Sequence, residues 1–148
     1  MGAPSTTRSM TSSATRVLVS GAAGRMGATV CEAVEAADGL ELAGRADPAL
    51  DAAVEDAVEG ADVMVDFTTP EAAPGNVRAA IESGVHAVVG STGFDLDRLR
   101  SDVEGSDGEA RCFVAPNFAI GAVLMMRFAR EAATHMPEAE IVELHHDR

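Results

Sequence analysis

The chain has 148 residues, enough for one domain with a real core. Its formal net charge is −13, from 24 acidic against 11 basic residues, and every basic residue is Arg. Nucleic acid and anionic membrane are excluded as partners, because binding phosphate takes cationic surface. Residues 1–15 are rich in Ser and Thr and read as a disordered extension without the apolar core of a secretory signal. Val17 to Ser20 is a short strand that runs into Gly21-Ala22-Ala23-Gly24-Arg25-Met26-Gly27. A helix pattern from about Arg25 to Ala37 follows, with a C-cap at Asp38-Gly39. A strand delivering the chain to a helix start through glycines leaves backbone N–H groups and the positive end of the helix dipole facing a concavity. That arrangement suits a diphosphate. Gly21 is assigned to the tight turn, Gly24 to close approach of the ligand and Gly27 to close packing of helix and strand.

Leu40 to Ala46 alternates as a second strand, stopped by Asp47-Pro48. Ala49 to Val58 predicts a short acidic helix ending at Gly60, and Ala61 to Phe67 a third strand. Glu71 to Ser83 is helical apart from Pro74, with Gly84 as its cap. His86 to Val89 is a fourth strand, closed by Gly90-Ser91-Thr92-Gly93, and Asp95 is the N-cap of the next helix. Ala110 to Val114 is a fifth strand. Ala119 to His135 is a long helix, amphipathic through Ile120, Leu124 and Phe128, ended by Pro137. Glu140 to His145 alternates as a final strand. Such alternation predicts an α/β fold, a Rossmann-like, doubly wound, mostly parallel sheet covered on both faces.

In such sheets ligands sit beyond the carboxyl ends of the strands. That edge collects Gly21 to Gly24, then Asp47, twenty residues after Gly27, as the acceptor for ribose hydroxyls. It also collects Phe67-Thr68, Gly90-Ser91-Thr92 and Ala115-Pro116-Asn117-Phe118. Each segment has a plainer reading beside it: Asp47 as a turn initiator before Pro48, Ser91-Thr92 as a helix cap, Asn117 as an Asx-turn residue. Their agreement at one edge favours a nicotinamide dinucleotide. His86 and His135 fall outside the set. Cys31 and Cys112 have no ligand spacing and read as buried thiols in a reducing cytoplasm, so no metal site is expected. No run is long and apolar enough to span a membrane. GC-rich codons explain Arg over Lys but not the acid excess, which points to a high-salt cytoplasm.

Five segments, Gly21 to Gly27, Asp66-Phe-Thr-Thr-Pro-Glu71, Gly90-Ser-Thr-Gly-Phe94, Ala115 to Phe118 and Glu143-Leu-His-His146, together resemble the dihydrodipicolinate (4-hydroxy-tetrahydrodipicolinate) reductases of lysine biosynthesis through diaminopimelate. The likeness runs from about Arg16 to the last residue. It implies that Gly21, Ala22, Ala23, Gly24, Arg25 and Met26 hold the cofactor diphosphate and Asp47 the ribose. Gly90 to Thr92 and Ala115 to Phe118 would line the nicotinamide side, and Phe67 and Thr68 belong to the same cofactor site. His145 becomes the catalytic acid and His146 a contact for a carboxylate of a cyclic dicarboxylate substrate. A hydride from NADH or NADPH would reach a ring carbon while the acid supplies a proton. The family also implies a homotetramer.

This chain departs from the family in several places. Pro48 stands where some members carry an Arg suited to the 2′-phosphate of NADP, so Asp47 favours NADH unless Arg45 or Arg25 takes that Arg's place. Ser91 replaces a common Thr and keeps the hydroxyl. The stretch from Asp47 to Ala61 is shorter than in many members. A Lys three positions beyond the second His, a Ser-Gly-Thr segment and a second α+β domain would follow in the family, whereas this sequence stops at Arg148. Residues 16–138 are thus expected to be the dinucleotide-binding domain and 139–148 the first strand of a truncated substrate and tetramerisation domain. The rival readings are a stand-alone dinucleotide-binding module or pseudoenzyme, and another Rossmann dehydrogenase of amino-acid metabolism, such as a semialdehyde or homoserine dehydrogenase.

Overall fold

The computed structural model describes residues 14–115, 118–136, 138 and 140–142. They divide into two compact units, one up to Ala115 and one from Pro116. In the first, β1 (Thr15–Ser20), α1 (Arg25–Ala36), β2 (Leu40–Ala46), a 3₁₀ turn (Pro48–Leu50), α2 (Val54–Ala57), β3 (Val63–Asp66), α3 (Ala73–Glu82), β4 (His86–Val89), α4 (Leu96–Glu104) and β5 (Cys112–Val114) follow one another. The second unit contains α5 (Ile120–Ala132), shorter at both ends than the sequence pattern suggests.

All five strands pair in parallel in the order β2-β1-β3-β4-β5. The order reverses at β1/β3, the switch point where doubly wound sheets open a crevice. Strand alternation sends alternate residues to opposite faces. Val17 and Val19 join Cys31 and Val34 of α1 on one face. Leu18, Met64, Ala87 and Val89 join Val54, Val77, Ile81 and Leu99 of α2, α3 and α4 on the other. The fully buried side chains Leu18, Val19, Met64, Val77 and Val89 hold the centre. Cys31 and Cys112 are both free thiols. Burial pushes the Cys112 thiol up, and the Asp66 charge adds to this.

Several expectations need correction. The acidic helix over 49–58 is broken: Asp51 takes a left-handed φ of 51°, and Asp47 and Ala52 form an antiparallel bridge. Backbone groups committed to that bridge are lost to a continuous helix, so only the 3₁₀ turn and the one-turn α2 form. Pro74 does not interrupt α3, because it sits in the first turn, where its missing N–H has no partner to lose. α1 ends at Ala37, whose extended backbone is its C-cap, and Gly39 takes the positive φ of the following turn. Strands β3 and β5 are shorter than their apolar runs. Glu140, Ile141 and Val142 lie in no strand, and Glu143 to Arg148 lie outside the described residues.

Candidate functional site

Register lines up the strand ends. Ser20 pairs with Ala46 and with Asp66, Asp66 with Val89, and Val89 with Val114. The next residue after four of these strands, Gly21, Phe67, Gly90 and Ala115, donates its N–H across to the last residue of a neighbour, at 2.8–3.0 Å. The loops singled out in the first unit therefore leave the sheet at one edge, on one level. A cleft of about 760 Å³ opens there, lined by Ser20, Gly21, Gly24, Asp47, Thr68 and Asn76 among others.

The glycine loop is shaped by contacts no side chain tolerates. Gly21 has φ +78°, and a Cβ on it would stand 2.7 Å from the Phe67 carbonyl oxygen. A Cβ on Gly27 would stand 2.0 Å from the Gly21 carbonyl oxygen, so the first turn of α1 lies against the loop itself. Gly24, the N-cap of α1, provides no side-chain cap, and no acidic residue occupies the first turn. The 12-residue helix thus begins at a residue that has no side chain to cap it. That chemistry fits a diphosphate. Ala23, Gly24, Arg25 and Met26 are exposed along this start, while Gly21 and Ala22 are buried beneath it.

Asp47 has two engagements. One carboxylate oxygen accepts from the Ala49 N–H at 2.8 Å and caps the 3₁₀ turn. The other accepts from the Ala23 N–H at 3.1 Å, which ties the end of β2 to the glycine loop. The turn-initiator and site readings of this residue are therefore compatible. Asp51, Glu55 and Asp56 line the same cleft as Asp47. Arg45 points into an ion pair with Glu35 at 2.8 Å.

Under the cleft lies a buried carboxylate. Asp66 is fully buried on the α3 face of β3. Its Oδ1 accepts from the Thr68 N–H at 3.0 Å and from the Thr68 hydroxyl at 2.7 Å, and its Oδ2 from the Asn76 carboxamide at 2.8 Å. The same carboxamide nitrogen donates to Ser20 Oγ at 3.2 Å and Thr68 Oγ1 at 3.4 Å. The Ser91 hydroxyl donates to the Thr68 carbonyl at 2.7 Å, joining the β4 loop to the β3 loop. The Phe67 ring lies against Gly90, where a Cβ would stand 2.1 Å from the ring. A buried charge persists only when its lone pairs are satisfied in this way.

Of the residues expected at the site, Gly21 to Met26, Asp47, Phe67, Thr68, Gly90, Ser91, Thr92 and Ala115 fall at this edge of the first unit. Phe118 belongs to the second unit, where it is exposed. Pro116, Asn117, His145 and His146 lie outside the described residues. His86 sits at the opposite end of β4, its Nδ1 accepting from the Arg111 N–H at 3.0 Å. Sequence reasoning missed Ser20, Asp66 as a site residue, and Asn76. A signal for Asn76 existed: it falls on the α3 face of Ala73, Val77 and Ala80, a polar residue at an inward position.

A family model described as dihydrodipicolinate reductase, N-terminus, matches residues 15–118. A 4-hydroxy-tetrahydrodipicolinate reductase of Beutenbergia cavernae is 52% identical over 136 residues, covering 90% of this chain and 54% of the relative. One from Cutibacterium acnes is 51% identical over 133 residues, covering 88% of this chain and 53% of the relative. The chain spans about half the length of these curated relatives. A solved structure, dipicolinate-bound dihydrodipicolinate reductase from Paenisporosarcina sp. TG-14, superposes with a TM-score of 0.73 at 30% identity. It covers 90% of this chain and 59% of that one.

Proposed function

The chain belongs to the dihydrodipicolinate reductase family, and from that premise we propose that it provides the dinucleotide-binding part of a reductase that prefers NADH. The full reaction would reduce 4-hydroxy-tetrahydrodipicolinate to tetrahydrodipicolinate in lysine biosynthesis, in the cytoplasm. The observation that carries the reading is the α1 start, where Gly24 supplies no side-chain cap, opening on the cleft at the β1/β3 switch point. Bound nicotinamide would supply a hydride to the substrate ring.

The chain's own residues have separable tasks. Gly21 to Met26 form the loop that receives the diphosphate, at the positive end of the α1 dipole. Asp47 accepts from the adenosine ribose. Phe67, Thr68, Gly90, Ser91, Thr92 and Ala115 border the nicotinamide side, continued in sequence by Pro116, Asn117 and Phe118. His145 donates the proton, and His146 binds a substrate carboxylate. Residues 16–138 act as the dinucleotide-binding domain, and 139–148 lead towards a substrate and tetramerisation domain.

The acidic lining supports NADH over NADPH. A 2′-phosphate beside Asp47 would meet Asp51, Glu55 and Asp56 in the same lining, Pro48 has no charge to offer, and Arg45 is paired with Glu35. Titration of NADH and NADPH, followed by nicotinamide fluorescence, tests this reading. Tighter NADH binding is expected; tighter NADPH binding sinks the preference, and no binding of either sinks the dinucleotide assignment. Reading the gene beyond the Arg148 codon separates reductase from binding module. An open frame encoding Lys and then Ser-Gly-Thr supports the reductase, and a stop supports the module. In a chain carrying that continuation, His145→Gln should lower kcat far more than it weakens NADH binding.

A further inference from the structure

We propose that Asn76 is a positioning residue for the dinucleotide, a role that rests on the cofactor reading above. Its carboxamide nitrogen touches three separate pieces of the cleft floor: Ser20 at the end of β1, Asp66 at the end of β3, and Thr68 in the loop beyond. A carboxamide has two N–H donors, so these three contacts share them. The strongest, at 2.8 Å, goes to the only charged partner, Asp66. Asp66 in turn holds Thr68 by both its amide and its hydroxyl.

The consequence reaches the glycine loop through the backbone. Residues 67 and 68 are what a side chain at Gly21 would strike, with the Phe67 carbonyl oxygen at 2.7 Å and the Thr68 nitrogen at 3.1 Å from its Cβ. The β3 loop is therefore the wall against which the Gly21 turn rests, and Asn76 is the helical residue that fastens this wall to the sheet. Thr68 is closed on every side: amide and hydroxyl donate to Asp66, and its carbonyl accepts from Ser91. It gives the cleft a fixed surface rather than a free donor. Without the carboxamide, Asp66 loses one of its three donors while remaining fully buried, and Thr68 loses its bond from α3.

The test compares NADH with adenosine in wild type and Asn76→Ala, with the melting temperature recorded for each. Adenosine carries the ribose for Asp47 but no phosphate for the glycine loop and no nicotinamide. NADH affinity should fall about tenfold in Asn76→Ala, the scale of one hydrogen bond to a charged group, with adenosine affinity nearly unchanged. Asn76→Asp adds a second readout. Protonated, it restores an O–H donor to Asp66; ionised, it sets two carboxylates against each other. Its NADH affinity should approach wild type at low pH and fall as pH rises, unlike wild type over the same range. If wild type binds neither ligand, the cofactor reading falls and this role with it. If wild type binds NADH and Asn76→Ala binds it within about twofold, the role alone is overturned. Equal losses for both ligands, tracking the melting temperature, also overturn it, since a merely structural residue behaves so. Should Asn76→Ala not fold, the pH profile of Asn76→Asp decides, and a flat profile sinks the proposal.

Discussion

The floor and the rim of the cleft use the same residue types under opposite conditions. On the floor, Asp66 is fully buried and bound by Thr68 and Asn76. No buried side-chain polar atom among the described residues lacks a partner. On the rim, Asp51, Glu55 and Asp56 are exposed, and Asp47 divides its carboxylate between its own turn and the Ala23 amide. Removing one floor contact strands a charge without water, which is costly. A rim charge keeps its hydration, so altering it changes which ligand is admitted more than whether the chain folds. Position in the sheet decides which role an aspartate takes.

The comparison can be broken at its base first. Gly27→Ala places a methyl 2.0 Å from the Gly21 carbonyl. It should cost about 3 kcal/mol in urea unfolding, at the upper end of overpacking penalties, and abolish NADH binding. A variant of wild-type stability would show that helix and loop separate easily. Asp66→Ala comes next. Loss of three hydrogen bonds on the floor should cost about 2–3 kcal/mol by the same measurement.

The rim responds in selectivity. Asp47→Asn removes the charge and one of two acceptors. The NADPH-to-NADH affinity ratio should rise about tenfold, and loop loosening common to both ligands cancels in that ratio. An unchanged ratio assigns the discrimination to Asp51, Glu55 or Asp56.

The smallest effect is expected far from the cleft, at the exposed Arg16–Asp62 pair, 3.0 Å apart. Hydrogen bonds from the Arg16 side chain and backbone hold the Asp62 carboxyl below its usual range. Its contribution is therefore present above the unfolded value near 3.8 and lost as pH falls through the lower folded value. Asp62→Asn should slightly flatten the acid side of the stability profile, and added salt should shrink even that difference. A large shift at neutral pH would contradict the contrast between buried and exposed carboxylates.

Much of this molecule follows from local sequence. Alternation in Leu40 to Ala46 and the apolar run before Gly21 marked strands, because a half-covered strand shows period two and one covered on both faces reads as a continuous apolar run. Gly21 and Gly27 announced a close-packed corner, and Asp95 marked a helix start that its bond to the Arg98 N–H fulfils. The set of loops at the carboxyl edge followed from parallel alternation alone, since every crossover returns each strand in the same direction.

Tertiary structure decided what depends on meetings across long separations. The bridge from Asp47 to Ala52 broke a helix that local pattern favoured. Asp47 met Ala23, 24 residues earlier, and Asn76 met Ser20, 56 residues earlier. Hydrophobic periodicity records which face is buried but not which polar group on another element waits there. Local pattern carried the alternating architecture and the common edge at which the loops leave the sheet. Only the packing of α3 on the sheet decided that Asn76 and Asp66 form the floor beneath it, because a buried carboxylate must be satisfied by whatever donors the fold brings to it.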